Sequence, residues 1–575
     1  TDDVYSIPSG PLPAASNTYV AAGSAPGLPV SASGSQFSPA NHLNVSPRID
    51  LQLGQKNTLT MRYQFYRNNV TNSLPGSTSL TTTANSTASL SHDVQLDDTQ
   101  VINDRMVNET RFEYRRANSS SSPVSTAPSF GVPGVFSGGG NGGQTSSTHS
   151  DHYELQNFVT LSKGKQAIKI GAWLRDDRQA TSTEGNFNGN FTFPSVTAFV
   201  NTWNNWASNQ PLGTNCPANQ PGGCLPTKLT YTTGQVAFQG NVFNAALFYQ
   251  DDWTVNKLLT LSGGLRWESQ NHIADHSDWA PRVAFAYALD GHKKGATSKT
   301  VLRGGYGFFH DRFGTGNLMN LEMLNGTPGR SQLQATITDP QCFSGTSLSD
   351  ISGGLASCGT GAAVTPEIYA ISPTYRSPYM EQAGASLERQ LTKGSTLTFT
   401  YMHSSGFHQL VTRDSNAYLP GTFEYGSATL TGTRPNSSLG IVQQYFPEAV
   451  FNENQLIVNI NARFSPKLSL MGFYNASWAN SDGGGGSNPS NSYDLRQDYG
   501  RAGFVRPQWL FLMGNYTAPW AITFNPFLVV QAGRPYNITS TYDLTGDNFF
   551  NGRPSYATSP KPVAGDVVQT SFGEL

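Results

Sequence analysis

The segment from Ala246 to Glu268 admits few folds. Leu259, Leu261, Gly263, Leu265 and Trp267 alternate strictly with Thr260, Ser262, Gly264, Arg266 and Glu268, which is the period of a strand with one apolar and one polar face. Only a short polar stretch, Val255-Asn256-Lys257, separates it from the preceding Ala246-to-Trp253 run, so the two halves are expected to fold back as an antiparallel hairpin. Trp253 and Trp267 fall at strand ends, where an amphipathic ring suits a membrane-water boundary.

The hairpin recurs. Val45 to Leu53 and Asn57 to Tyr66 are predicted to turn at Gly54-Gln55-Lys56, and Leu90 to Leu96 and Gln100 to Arg115 to pair across Asp97-Asp98. Further turns are expected at Lys163-Gly164-Lys165, across residues 291–295, and at Thr392-Lys393-Gly394, Ser465-Pro466-Lys467 and Ala518-Pro519-Trp520. Between hairpins lie long stretches rich in Ser, Gly, Asn and Thr, near 67–87, 116–150, 179–235, 311–375, 404–450 and 480–500. Short turns alternating with long loops are the signature of an outer-membrane barrel, whereas a soluble sandwich has no reason to sort them. The spacing predicts roughly sixteen strands of about nine to twelve residues, enough to cross a bilayer at the usual tilt. Closing such a sheet leaves no backbone edge in lipid. The competing soluble reading, a propeller, would repeat at a fixed period, and none is visible.

Composition narrows the class. Charged residues make up 13% and the formal net charge is -2, against a usual charged fraction of about 25%. No nucleic-acid partner is expected from this balance. No apolar run of about 18 residues occurs, so no transmembrane helix is available, while alternating strands dilute the same signal and leave a barrel open. The fold expected is therefore all-β: a large antiparallel transmembrane barrel over residues 41–554, with 1–40 as loop or linker and 555–575 as loop. The chain starts at Thr1 and stops at Leu575 with neither a signal segment nor an obvious ending, and is read as a fragment of something longer, incomplete at both ends.

Cys216 and Cys224 form one close pair and Cys342 and Cys358 another, each within a Gly-, Pro-, Asn- or Ser-rich stretch. Two local loop disulfides are the expectation, with four unrelated thiols as the alternative. Zinc has less support, since no Cys-x2-Cys spacing or neighbouring His pair accompanies them.

Several stretches together resemble the barrel core of TonB-dependent receptors. They are Phe248-Tyr-Gln-Asp-Asp-Trp253 with Leu259-Thr-Leu-Ser-Gly-Gly-Leu-Arg-Trp-Glu268, Trp279-Ala-Pro-Arg-Val-Ala-Phe-Ala-Tyr287, and Thr300-Val-Leu-Arg-Gly-Gly-Tyr-Gly-Phe-Phe309. Glu381-to-Leu391 with Phe399-to-Gly406, and Ala532-to-Thr539 with Gly552-Arg-Pro554, extend the likeness to the Oar-like subgroup, which carries a carboxypeptidase-regulatory-like amino-terminal domain. The resemblance implies a barrel of 22 strands in the bacterial outer membrane, in contact with its lipid. It also implies an amino-terminal plug and uptake of a large substrate driven by the TonB complex. Neither plug nor TonB box is recognisable here, so energy coupling is implied by the resemblance alone and is assigned to no residue.

On the polar strand registers lie Arg62, Glu109, Arg111, Glu113, Arg175, Arg266 and Glu268. They are expected to face the lumen, where they could hold a plug by charge-assisted hydrogen bonds or simply form a solvated interior. Substrate capture then belongs to the long loops, whose Tyr, Trp, Asn and Gln suit a glycan, a peptide or a metal chelate.

Catalytic motifs are missing: no Gly-x-Ser-x-Gly elbow, Walker loop or His-Glu-x-x-His helix occurs. No cofactor is expected. One weak metal candidate exists, calcium at Asp543, Thr545 and Asp547, with oxygens at alternate positions but no downstream acidic ligand; a polar extracellular turn is the alternative. Surface adhesion or assembly, export, and passive diffusion are the rival functions.

Overall fold

The computed structural model describes residues 2–6, 33–133, 135–196, 198–199, 202, 225–291, 298–337, 365–423, 432–483, 488–539, 544–547, 549, 551–553, 569–570 and 573–574. In chain order the strands are β1 (Ala40–Val45), β2 (Arg48–Gly54), β3 (Asn57–Ser73), β4 (Asn85–Asn103), β5 (Met106–Pro123), β6 (Ser129–Val132), β7 (Phe136–Gly139), β8 (Ser146–Lys163), β9 (Gln166–Ser182) and β10 (Asn190–Thr192). There follow β11 (Lys228–Gly234), β12 (Ala237–Thr254), β13 (Leu259–Gln270), β14 (Asp278–Ala288) and β15 (Thr300–His310), then helix α1 (Thr315–Met323). The rest are β16 (Gln332–Ile337), β17 (Thr365–Ile371), β18 (Tyr379–Thr392), β19 (Ser395–Asp414), β20 (Ile441–Ser465), β21 (Leu468–Ser481), β22 (Gln508–Thr517) and β23 (Phe527–Gln531). With the short pieces Gly500–Arg501 and Thr523–Phe524 they form one 25-stranded sheet.

Two parts of this sheet differ in kind. The long strands build a wall in which each pairs antiparallel with its sequence neighbour, as the alternation of the sequence predicts. Tight turns close the hairpins at one end. Gly164 takes a φ of +63° between Lys163 and Lys165, a value that favours glycine. At the β12–β13 turn Asn256 Oδ1 accepts the backbone N–H groups of Leu258 and Leu259 at 2.8 and 3.0 Å. Wall strands outrun the expected nine to twelve residues: β4 has 19 and β20 has 25. They continue past the apolar band into what the sequence offered as loop.

The second hairpin corrects the sequence reading. Asp97 and Asp98 are not its turn; they lie inside β4, and the chain reverses at Asp104-Arg105, where Asn103 Oδ1 accepts the Arg105 N–H at 2.9 Å. Asp97 stays in the ladder because Arg111 stands opposite it, with a 3.5 Å ion pair offsetting the poor strand propensity of aspartate. The amino-terminal stretch expected as loop also contains a ladder, Asp2–Ser6 with Ser33–Phe37.

The remaining strands make a cap at the loop end of the wall. β7 pairs with β6, β6 runs parallel to β10, and β10 pairs with β11, β11 with β16 and β16 with β17. β17 then joins, in parallel, the Ile441–Tyr445 end of β20. The cap thus bridges from the loop after β5 to a wall strand far around the sheet. Its apolar filling is the molecule's core. Phe130, Phe136, Phe191, Phe193 and Phe199 pack ring to ring at 5.1–6.3 Å. Val242, Ile273, Phe313, Leu318, Tyr375 and Tyr445 form a second buried cluster. A wall with a solvent on each side has no such interior, so buried aromatics collect where loops fold over one another.

The wall has two open margins. β1 and β2, interrupted at Ser46-Pro47, pair only with β3, and β23 pairs only with β22. Among the described residues no ladder joins them, and all three strands are exposed along their whole length.

Candidate lumen face and outer mouth

Side chains directly opposite in a ladder share a face, so the strand registers sort the wall exactly by rows. One row runs Arg62, Gln95, Glu113, Glu154, Arg175, Asn244, Gln270. The next runs Thr60, Asp97, Arg111, Gln156, Trp173, Ala246, Glu268, Asp278. The third holds Glu109, Phe158, Gly171, Phe248 and Arg266. The seven charged residues singled out in the sequence therefore occupy three adjacent rows of one face. They are not one cluster: Arg62, Glu109, Arg111 and Glu113 lie on β3 and β5, while Arg266 and Glu268 lie several strands away on β13.

Several charges on this face have local partners. Arg111 reaches Glu109 at 3.1 Å and Asp97 at 3.5 Å. Arg175 Nε donates to Asp177 Oδ2 at 2.6 Å, and the same carboxylate meets His152 Nδ1 at 2.6 Å. His152 Nε2 lies 3.9 Å from Glu113 and 3.8 Å from Glu154. Arg266 bonds Glu268, which Arg312 approaches at 3.9 Å. Both guanidiniums face the ring of Trp173, at 5.6 and 4.3 Å, and Trp173 is only 7% exposed. Sequence reading missed His152, Glu154, Asp177 and Arg312. A signal existed for Asp177, which shares its register with Arg175 two residues before it.

The opposite face carries Ile170, Leu174, Leu247, Leu265 and Val283, all exposed; Leu247 and Val283 reach 56% and 59%. Large apolar side chains presented outward by so many strands have one solvent that suits them, the hydrocarbon of a bilayer.

At the mouth, α1 rests on the polar face of β12. Gly240 makes this approach possible, since a Cβ there would stand 3.1 Å from Leu318 Cδ2. Gln270 anchors the start of the same insertion, donating to Phe313 O at 2.7 Å and accepting the Phe313 N–H at 3.0 Å. Below the cap opens a cavity of about 1190 Å³, lined by hydroxyls of Ser89, Ser119, Thr148 and Thr181 and by Glu322 and Arg330. Beyond the end of β19, Arg434 binds Asp414 at 3.0 Å with both side chains almost wholly buried. Burial pushes the Asp414 carboxyl up, against hydrogen bonds from the backbone of Val442 and Asn416 and from Arg434. Burial likewise raises Glu367 in β17.

The sequence profile of the outer membrane beta barrel domain matches residues 6–278 and 269–573. The chain belongs to the outer-membrane β-barrel domain family. No curated protein matches it in sequence. Among solved structures, the outer membrane transporter YddB from Escherichia coli aligns with a TM-score of 0.57 at 10% identity, covering 89% of this chain and 59% of that one. A variant of the ferric enterobactin receptor PfeA from Pseudomonas aeruginosa aligns at 0.50 and 12% identity, covering 86% and 57%. The chain thus spans less than two thirds of the length of these barrels, and likeness at such identities is a likeness of fold.

For an outer-membrane barrel of bacteria the two faces acquire names: the exposed apolar face meets lipid, and the paired rows face inward. All four cysteines fall outside the described residues, as does Asp543. Thr545 and Asp547 are described, and the buried Asp547 accepts the Phe549 N–H at 3.0 Å. Among the described residues no group of three or more His, Cys, Asp or Glu is placed to hold a metal ion.

Proposed function

We propose that this barrel is the wall of a TonB-dependent transporter of the Oar-like type. In this reading it takes up a glycan, peptide or metal chelate too large for a porin, and does so without catalysis. The observation that carries the reading is the mouth. A cap sheet drawn from several loops crosses it above a wide inward face of paired charges, an arrangement suited to admitting a large ligand by rearrangement and poor for free diffusion. Charge pairs that can exchange partners give an inward face able to hold a plug and release it at modest cost. The outer membrane has no energy source of its own, so active uptake requires a plug that reaches the inner-membrane TonB complex; that partner is inferred from the family resemblance. The likeness of fold to an outer membrane transporter and to a ferric enterobactin receptor agrees with this reading.

The test is uptake by cells carrying the full-length protein, with labelled oligosaccharide, peptide and ferric-chelate pools, with and without an uncoupler. Uptake that collapses when the proton-motive force is dissipated supports energised import. Uptake of the same pools unaffected by the uncoupler would assign passive diffusion, and binding without internalisation would assign an adhesion role.

A further inference from the structure

One stretch of the inward face holds more cations than its carboxylates pair. The row next to Phe248 and Arg266 on the turn side runs Thr160, Lys169, Gln250, Gly264, Arg282 and Gly307 across β8, β9, β12, β13, β14 and β15. Lys169, Arg266 and Arg282 line a single hollow of about 380 Å³ at Gly264, walled by Phe248 and Gln250 of β12 and Ala280 of β14. Glycines set its shape. A Cβ at Gly171 would stand 2.5 Å from Phe248 Cζ, and one at Gly307 would stand 3.0 Å from Arg282 Cγ, so the ring and the arginine stem each lie down on the sheet where a glycine stands.

The neighbouring carboxylates are already engaged. Glu268 bonds Arg266 and is approached by Arg312, and Asp252 accepts Gln250 Nε2 at 3.2 Å. Among the described residues no carboxylate pairs with Lys169 or Arg282, and a ring holds each instead: Lys169 Nζ lies 3.7 Å from the Phe158 centroid and the Arg282 guanidinium 4.3 Å from that of Phe309. Arg303, on the same face nearer the turns, shows the contrast, with Glu388 at 3.8 Å. A cation stacked on a ring is fixed in place with its N–H donors still free, whereas one in a salt bridge has them occupied.

We infer that this hollow binds the anionic part of a ligand in transit, a group of carboxylates or phosphates. Arg282 offers such a group a planar fork of donors and Lys169 a compact positive charge. Gly264 lies five residues from the Leu259 end of β13. At about 3.4 Å per residue and a tilt near 40°, that places the hollow on the order of 13 Å above the turns, part-way down from the mouth, where a ligand leaving the cap would meet it. The inference rests on the uptake reading and narrows its substrate: of the glycans, peptides and chelates considered there, it selects the acidic ones.

Isothermal titration calorimetry of the full-length protein in detergent micelles, with citrate and tripolyphosphate as probes at one fixed ionic strength, tests this. At least one of the two should bind, and whichever binds more tightly names the group, carboxylate or phosphate. Combining Lys169→Gln with Arg282→Gln should weaken that binding by about tenfold or more, with heat-modifiable gel mobility showing that the barrel still folds. Arg303→Gln, which removes the same charge from the same face, should leave the affinity unchanged. Absence of binding by both anions would overturn the inference. So would an affinity undiminished in the double variant, or an equal loss in Arg303→Gln. Binding is read here without transport: uptake indifferent to an uncoupler would remove energised import and leave this site standing, and absence of anion binding would do the reverse.

Discussion

Arg434 donates to Asp414 Oδ2 at 3.0 Å, to Asn416 O at 2.7 Å and to Gly546 O at 3.0 Å, and stacks 4.0 Å over Tyr418. Replacing it with Met leaves a buried carboxylate without its counter-charge, a loss of about 3–5 kcal/mol. The expected sign is rapid proteolysis of the 414–441 loop with the wall intact; adding Asp414→Asn should recover part of the protection. At the other end of the wall, Asp290 accepts from Ser298, Lys299, Thr300 and Arg389. These bonds, the Ser298 hydroxyl foremost, hold its carboxyl well below the ordinary carboxylate range. A depressed folded value means the stabilisation is present above the unfolded pKa and lost as pH falls through the folded one. Amide exchange in the β14–β15 turn should therefore accelerate only below about pH 4. In Asp290→Asn the turn should exchange faster at neutral pH and lose that acid dependence.

The cap strands hold together through aromatic packing, so Phe193→Ala should loosen the cap by about 3–5 kcal/mol, seen as faster hydrogen exchange in β6, β10 and β11 with β8 and β9 unchanged. These strands were not legible in the sequence. β6, β7 and β10 have three or four residues, too few for a period to show, and the parallel pairing of β6 with β10 joins two different loops. The wall was legible because its pairing is local: strict alternation in Leu259–Glu268 and Lys-Gly-Lys at residues 163–165 specify strand and turn within a few residues of each other. Asp97-Asp98 misled for the opposite reason. Two aspartates signal a turn locally, and only Arg111, on the returning strand, shows why one of them belongs in a ladder. The inward registers of Arg175 and Arg266 could be read from alternation, but their partners Asp177 and Arg312 depend on side-chain reach across the surface.

For the molecule as a whole, the two faces of the wall should respond oppositely to the same substitution. Leu247→Arg places a guanidinium in hydrocarbon and should cost about 2–4 kcal/mol of insertion stability. Gln156→Arg, on the inward face, should cost much less, with urea titration of the reconstituted barrel as the measurement. The division into wall and cap also imposes an order of assembly. A wall of sequential neighbours can be laid down one hairpin at a time, each new strand finding its partner already at the growing edge. The cap cannot be built so. Leu229 waits for Ile337, and Glu367 waits for Ile441, so loop closure over long separations delays it. Each newly made barrel therefore passes through a stage in which its wall has formed and its entrance has not, and whatever inserts it into the membrane must handle a sheet whose outermost part is still unmade.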